Sequence, residues 1–119
     1  MKIGTDIVNI ARIERSIAKF GNTFKEKFLS PEEIVLAKKV ETIAGFWAAK
    51  EAVSKALGCG ISGDLGFHDI IISKNHRGAP QFHLSPHTQK IHHIRKSSLS
   101  ISHDGGFAIA VVALSQNMH

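Results

Sequence analysis

The sequence predicts an α+β fold in which a largely antiparallel sheet has one long helix packed on it. Three observations lead there. Apolar residues recur with helical spacing through most of the first half, from Ile10 to Leu57. The second half changes to short apolar or alternating runs separated by turn residues. Its last two runs, residues 98–103 and 107–114, flank Asp104-Gly105-Gly106 and read as a hairpin, whose strands must run antiparallel. Helices grouped ahead of strands, instead of alternating with them, favour α+β over a parallel α/β sheet.

Each element has a local cause. Residues 3–10 read as a short strand with Gly4 and Asp6 on one side and Ile3, Thr5 and Ile7 on the other. Asn9 is placed to cap the next helix, in which Ile10, Ile13 and Ile17 make an apolar stripe while Arg12, Arg15 and Lys19 share the outer surface. Gly21-Asn22 breaks the chain, and residues 23–28 resume a helical turn or two. Ser30-Pro31-Glu32-Glu33 is a helix start, with Ser30 as cap, Pro31 first and Glu33 closing a capping box; this helix is expected to run to about residue 40. The long helix follows over about 43–57 and ends at Gly58, with Gly60 and Gly63 making a glycine-rich exit. Residues 67–73 read as a strand, 75–78 turn it back into a short strand at 81–84, and Ser85-Pro86 opens a helix to about residue 94. The second strand of the closing hairpin is nearly all apolar and so central or buried. No repeat, linker or low-complexity stretch divides the chain, and residues 1–119 read as a single domain.

A chain of 119 residues buries roughly two-thirds of its unfolded surface, enough for a core but not for a deep private cleft. No apolar run approaches the ~20 residues of a membrane span, and the start M-K-I-G-T-D-I-V, with Asp6, is not a secretory signal. Cys59 is the only cysteine, so no internal disulfide forms, which fits a reducing cytoplasm; it reads as a small turn residue. Fifteen Lys and Arg against ten Asp and Glu give +5, a balance that favours an anionic partner. Nucleic acid is disfavoured, because no basic run, aromatic platform motif or zinc-finger spacing is present. The histidines at 68, 76, 83, 87, 92, 93, 103 and 119 repeat no ligand spacing and read as solvated surface.

The long helix contains W-A-A-K-E-A-V-S-K-A-L-G from Trp47 to Gly58. At roughly 100° per residue, Phe46, Ala49, Val53, Ala56 and Leu57 gather on a core face. The opposite side holds Glu51 and Lys55 flanked by Ala44, Ala48 and Ala52. It reads as a solvent side stripped of bulk around one carboxylate, where another surface can approach and exclude water. Glu51 and Lys55 at i and i+4 equally suit a surface ion pair worth ~0.2–0.5 kcal/mol. Asp6 on the first strand and His103 at the entry to the last turn add reactive groups on other elements.

These segments together resemble the small single-domain class of 4′-phosphopantetheinyl transferases, the holo-acyl-carrier-protein synthases. The motif G-x-D stands as Gly4-Thr5-Asp6, and W-x-x-K-E-A-x-x-K as Trp47 to Lys55. The serine-histidine hairpin stands as Ser100-Ile101-Ser102-His103, with F-x-D-I at Phe67 to Ile70 and G-x-P at Gly78 to Pro80. The resemblance implies transfer of the phosphopantetheine arm of coenzyme A to a serine of apo acyl carrier protein, with release of adenosine 3′,5′-bisphosphate, in support of fatty acid biosynthesis. It implies Mg²⁺ held by Asp6 and Glu51, catalytic roles for Asp6, Glu51 and Lys55, and coenzyme contacts from Lys55, Gly58, Gly60, Ser102 and His103. The bare alanines would give the phosphates room to approach. It further implies carrier-protein docking on Arg12, Arg15 and Lys19, with Lys25 beyond them, and a cytoplasmic homotrimer with sites between subunits. One departure is visible: many relatives carry arginine before the motif's aromatic residue, where this chain has Phe46. His68, Lys74 and Arg77 are the basic residues considered as replacements.

Overall fold

All strand pairing is antiparallel among the described residues, 1–117 of the computed structural model. The order is β1 (Lys2–Asn9), α1 (Ile10–Phe20), α2 (Asn22–Glu26), α3 (Pro31–Leu36), α4 (Val40–Ala56), a 3-10 turn (Phe67–Asp69), β2 (Ile70–Lys74), β3 (Pro80–Leu84), α5 (Pro86–His92), β4 (Ile94–Asp104) and β5 (Phe107–Gln116). One sheet has the order β1-β5-β4, and β2 with β3 forms a second, two-stranded sheet. The α+β class and the helix-on-sheet packing are as the sequence predicts. His119 lies outside the described residues.

Local chemistry explains most boundaries. The Asn9 side chain accepts from Ala11 N–H at 2.9 Å, capping α1. At α3, Ser30 Oγ accepts from Glu33 N–H while Glu33 Oε1 accepts from Ser30 N–H, which completes the capping box. Gly105 and Gly106, with φ of 58° and 85°, supply the two left-handed positions of the β4–β5 turn. Three boundaries differ from expectation. Helix α3 stops at Leu36 and α4 starts at Val40, because residues 37–39 leave the helical conformation. The 67–69 segment turns as a 3-10 helix before β2 begins. And β4 starts at Ile94, because His93 adopts a left-handed conformation (φ 52°) that ends α5 at His92 and sends the chain directly into the sheet.

Helix α4 is the centre of the molecule and is covered on nearly all sides. Its alanine face departs from the reading made on the sequence: Ala44, Ala48 and Ala52 are 0% exposed, and Ala52 lies directly beneath β1. Ala52 is small because the strand backbone occupies the space above it. A Cβ built on Gly4 would sit 1.9 Å from the Ala52 carbonyl oxygen and 2.7 Å from Ala56 N. The room beside Ala52 is therefore filled by β1, not held open for phosphates.

The opposite side of α4 is closed by a buried ion pair. Lys50 and Glu33 are 0% and 1% exposed, with Lys50 Nζ 2.8 Å from Glu33 Oε1. Lys50 also donates to the carbonyls of Phe28 (2.6 Å) and Phe67 (3.1 Å), using all three ammonium donors. Glu33 Oε2 accepts from Ile72 N–H at 2.8 Å. Burial pulls the Lys50 pKa down and the glutamate opposes that shift. Because every polar atom is matched, the pair can tie α3, α4, the 3-10 turn and β2 together despite its desolvation cost.

Strand β5 is central, as predicted, but it is buried on one face only. Ala108, Ala110, Val112 and Leu114 face α4, while Phe107, Ile109 and Val111 lie on the outer face with Ile3 and Ile7 of β1, all substantially exposed. The registers Ile7↔Ile109 and Thr5↔Val111 make this one continuous, largely apolar surface.

Gly4→Ala is expected to force β1 and α4 apart, at an overpacking cost of about 3 kcal/mol. Thermal unfolding should show Tm lowered by about 10 °C; an unchanged Tm would contradict the backbone contact.

Candidate functional site

The close approach of β1 to α4 builds the site. Gly4, Asp6 and Val8 share the strand face turned to the helix, so Asp6 stands beside the α4 positions 51 and 55 once Gly4 has docked on Ala52. Asp6 and Glu51 line one open hollow of about 390 Å³ together with Val8, Asn9, Arg12 and Trp47. Lys55 Nζ lies 2.8 Å from Asp6 Oδ1, with 53% of the lysine side chain exposed. The lysine therefore pairs with the strand aspartate and not with its helical neighbour Glu51. Asp6 also borders a second hollow of about 320 Å³, shared with Lys55 and with Thr5, Ile7 and Ile109 of the outer sheet face.

Electrostatics distinguish the members. Glu51 has its pKa raised, first by burial and then by the charge of Asp6, while Lys55 and Arg12 pull it back. Lys55 is raised, chiefly by its hydrogen bond to Asp6. Two carboxylates that repel each other in one hollow are relieved by a cation. The donor set is oxygen only, which suits a hard ion. Among the described residues no group of three or more His, Cys, Asp or Glu gathers, so this is not an all-protein cage. A pair of carboxylates with other positions left open is the arrangement that Mg²⁺ accepts. The residues fit the ion.

Other expected site residues lie elsewhere. His103 lines a hollow of about 150 Å³ with Glu41, Thr42, Phe46, Lys74, Gly78, Pro80 and Ile101. That hollow takes Thr42 and Phe46 from one flank of α4, whereas Trp47 and Glu51 face the other flank. One protomer therefore does not bring His103 to Asp6 and Glu51. Ser102 is exposed and paired with Ile109 across the sheet. Gly58 and Gly60 follow α4 with φ of 81° and 66°, conformations that account for glycine at both positions. Of the three basic residues considered beside Phe46, Lys74 is the one that shares its hollow; His68 Nε2 instead lies 2.8 Å from the Glu26 carbonyl oxygen.

Arg15 and Lys19 stay on the exposed face of α1, but Arg12 does more than its surface assignment implies. Its guanidinium lies over the Trp47 ring, 5.7 Å from the centroid, inside the Asp6–Glu51 hollow. Its place one turn past the end of β1 is the sequence signal, legible only once β1 is known to lie against α4. Lys50 was equally hidden: a lysine beside Glu51 reads as polar surface, yet it is wholly buried.

A profile of the 4′-phosphopantetheinyl transferase superfamily matches residues 2–112. The chain is 61% identical over 114 residues to a holo-[acyl-carrier-protein] synthase of Sulfurovum sp. (strain NBC37-1), covering 96% of each chain. It is 61% identical over 112 residues to the Wolinella succinogenes protein of the same name, covering 94% of this chain and 95% of the other. The crystal structure of the Helicobacter pylori holo-[acyl-carrier-protein] synthase in complex with coenzyme A superposes with a TM-score of 0.92 at 55% identity, over 95% of this chain and 99% of that one. With the G-x-D strand and the W-x-x-K-E helix meeting as they do, the chain belongs to the 4′-phosphopantetheinyl transferase superfamily, in its holo-acyl-carrier-protein synthase family of enzymes.

Proposed function

We propose that this chain, folding over residues 1–119 as one transferase domain, moves the 4′-phosphopantetheine arm of coenzyme A to a serine of apo acyl carrier protein in a cytoplasmic, Mg²⁺-dependent step that supplies fatty acid biosynthesis. The serine oxygen forms a bond to the phosphorus nearer the pantetheine. The diphosphate P–O bond breaks, its electron pair leaves with adenosine 3′,5′-bisphosphate, and the serine proton is released. The convergence of Asp6 and Glu51 on one hollow beside Lys55 carries this reading.

Asp6 and Glu51 are the residues that would hold the Mg²⁺, which when bound would offset negative charge on the diphosphate. Lys55 is more than half exposed and tethered to Asp6 alone, so its ammonium can swing to a diphosphate oxygen as a point charge. Gly58 and Gly60, in the loop beyond Lys55, offer backbone without side chains for the coenzyme to pass. His103 contacts the coenzyme from the other hollow, with Lys74 a second cation there, and Ser102 contacts it from the outer sheet face beside Ile109. The carrier protein docks along Arg12, Arg15 and Lys19, a row on one face of α1 that forms no ion pair among the described residues.

A homotrimer with sites between subunits is supported by two features. The outer sheet face is apolar and uncovered, and Ile109 of that face borders the hollow that contains Asp6 and Lys55. The Asp6 and His103 hollows lie on opposite flanks of α4, so a neighbour is needed to bring one against the other.

Mixing the protein with apo acyl carrier protein, coenzyme A and Mg²⁺ should add the mass of one phosphopantetheine arm to the carrier. EDTA should stop the reaction and Mg²⁺ restore it. Asp6→Ala and Glu51→Ala should each abolish transfer while leaving the circular dichroism spectrum unchanged; full activity in either at saturating Mg²⁺ refutes the metal assignment. The kcat/KM for carrier protein should fall as salt rises past about 0.1 M, where the Debye length is about 10 Å, and Arg15→Ala should flatten that dependence. A rate indifferent to ionic strength counts against docking on α1. Light scattering should give three times the 13.0 kDa chain mass, and Val111→Glu should leave monomers; an unchanged mass in the variant would place the interface elsewhere.

A further inference from the structure

Trp47 opens the long motif and is the chain's only tryptophan, yet the transfer chemistry gives it no task. Its ring is packed among Phe28 (centroids 5.0 Å, edge-on), Phe67 (4.9 Å) and Phe24 (6.1 Å, stacked). That cluster is itself anchored, since buried Lys50 donates to the carbonyls of Phe28 and Phe67. The indole is therefore held in place where it lines the Asp6–Glu51 hollow, and over its ring sits the Arg12 guanidinium, which lines the same hollow.

The ion pairs make this placement informative. Asp6 and Glu51 share the hollow with Arg12, yet Arg12 forms a salt bridge with neither. Had it done so, it would have neutralised a carboxylate that the site uses. A cation held over an aromatic face makes no hydrogen bond to it. No side-chain hydrogen bond joins Arg12 to Asp6 or Glu51, so its N–H donors stay free for an incoming oxyanion. Tryptophan provides the best such face and phenylalanine a weaker one, whereas packing alone would accept leucine.

We infer that Trp47 is a positioning residue whose indole face holds the Arg12 guanidinium at the mouth of the Asp6–Glu51 hollow. The basic row of α1 then runs into the reaction pocket, and its last cation is oriented before a carboxylate of the carrier protein arrives. This rests on the docking surface proposed above.

Initial rates with carrier protein and coenzyme A varied separately test it. Trp47→Leu should raise KM for the carrier protein about five-fold, leave KM for coenzyme A unchanged, and be largely rescued by Trp47→Phe. In an Arg12→Ala background, Trp47→Leu should add no further rise. The emission of the single tryptophan should shift on Arg12→Ala alone, a readout available even if Trp47→Leu folds poorly. The inference is overturned if Trp47→Leu acts as strongly without Arg12 as with it, if both KM values rise together, or if emission ignores Arg12→Ala. Failure of the unaltered protein to modify any carrier would instead defeat the proposed reaction.

Discussion

The arrangement of this molecule depends on one backbone-to-backbone contact, the seating of Gly4 on the Ala52 carbonyl. With no side chain between them, β1 lies directly on α4, and the next residue on the same strand face is Asp6. A spacer of even one methyl group would collide with the helix, because the Cβ position lies 1.9 Å from that carbonyl oxygen. The same contact explains Ala52 as a docking floor. In G-x-D the glycine sets the approach, and the aspartate is thereby placed in one hollow with Glu51.

Two lysines five residues apart on α4 show how environment decides role. Lys50 points away from the sheet into a dry space, where Glu33 and two carbonyls satisfy it completely. It has no freedom to act on a substrate, and removing either partner would leave a buried charge unpaired. Lys55 lies at the edge, more than half in solvent, with one hydrogen bond to Asp6. An exposed pair of this kind adds little stability. It stays mobile beside the two carboxylates. The helix thus separates a locked, buried cation from a solvent-exposed one by rotation about its axis.

The flanks of α4 also divide the two hollows. Trp47, Glu51 and Arg12 face one hollow, and Phe46, Lys74 and His103 face another. A chain of this size has no room for a deep enclosed cleft, so both hollows stay open at the protomer surface. The apolar outer face of β1 and β5 reaches the edge of the first hollow through Ile109. Closure by a second copy would add the missing wall without enlarging the chain.

The sequence by itself determined most elements, their order and the two local hairpins, since caps, turn glycines and apolar periods act over a few residues. The pairing of β1 with β5 and the division into two sheets came from the tertiary structure. Asn9, the Ser30–Glu33 box and the Gly105-Gly106 turn appear where their local chemistry requires. The early start of β4 was not legible, because Arg95, Lys96 and Ser97 carry no apolar alternation; Lys96 and Ser97 pair with the neighbouring strand, and Arg95 sits at a register shift. Motif residues Asp6, Glu51 and Lys55 were legible as a set. Tertiary structure alone decided that Ala44, Ala48 and Ala52 are buried instead of facing solvent, that Lys50 is buried, that Lys55 chooses Asp6 over Glu51, and that Arg12 rests on Trp47. Each of these depends on which remote segment occupies the space beside a helix, and periodicity along one segment does not encode the identity of its neighbour.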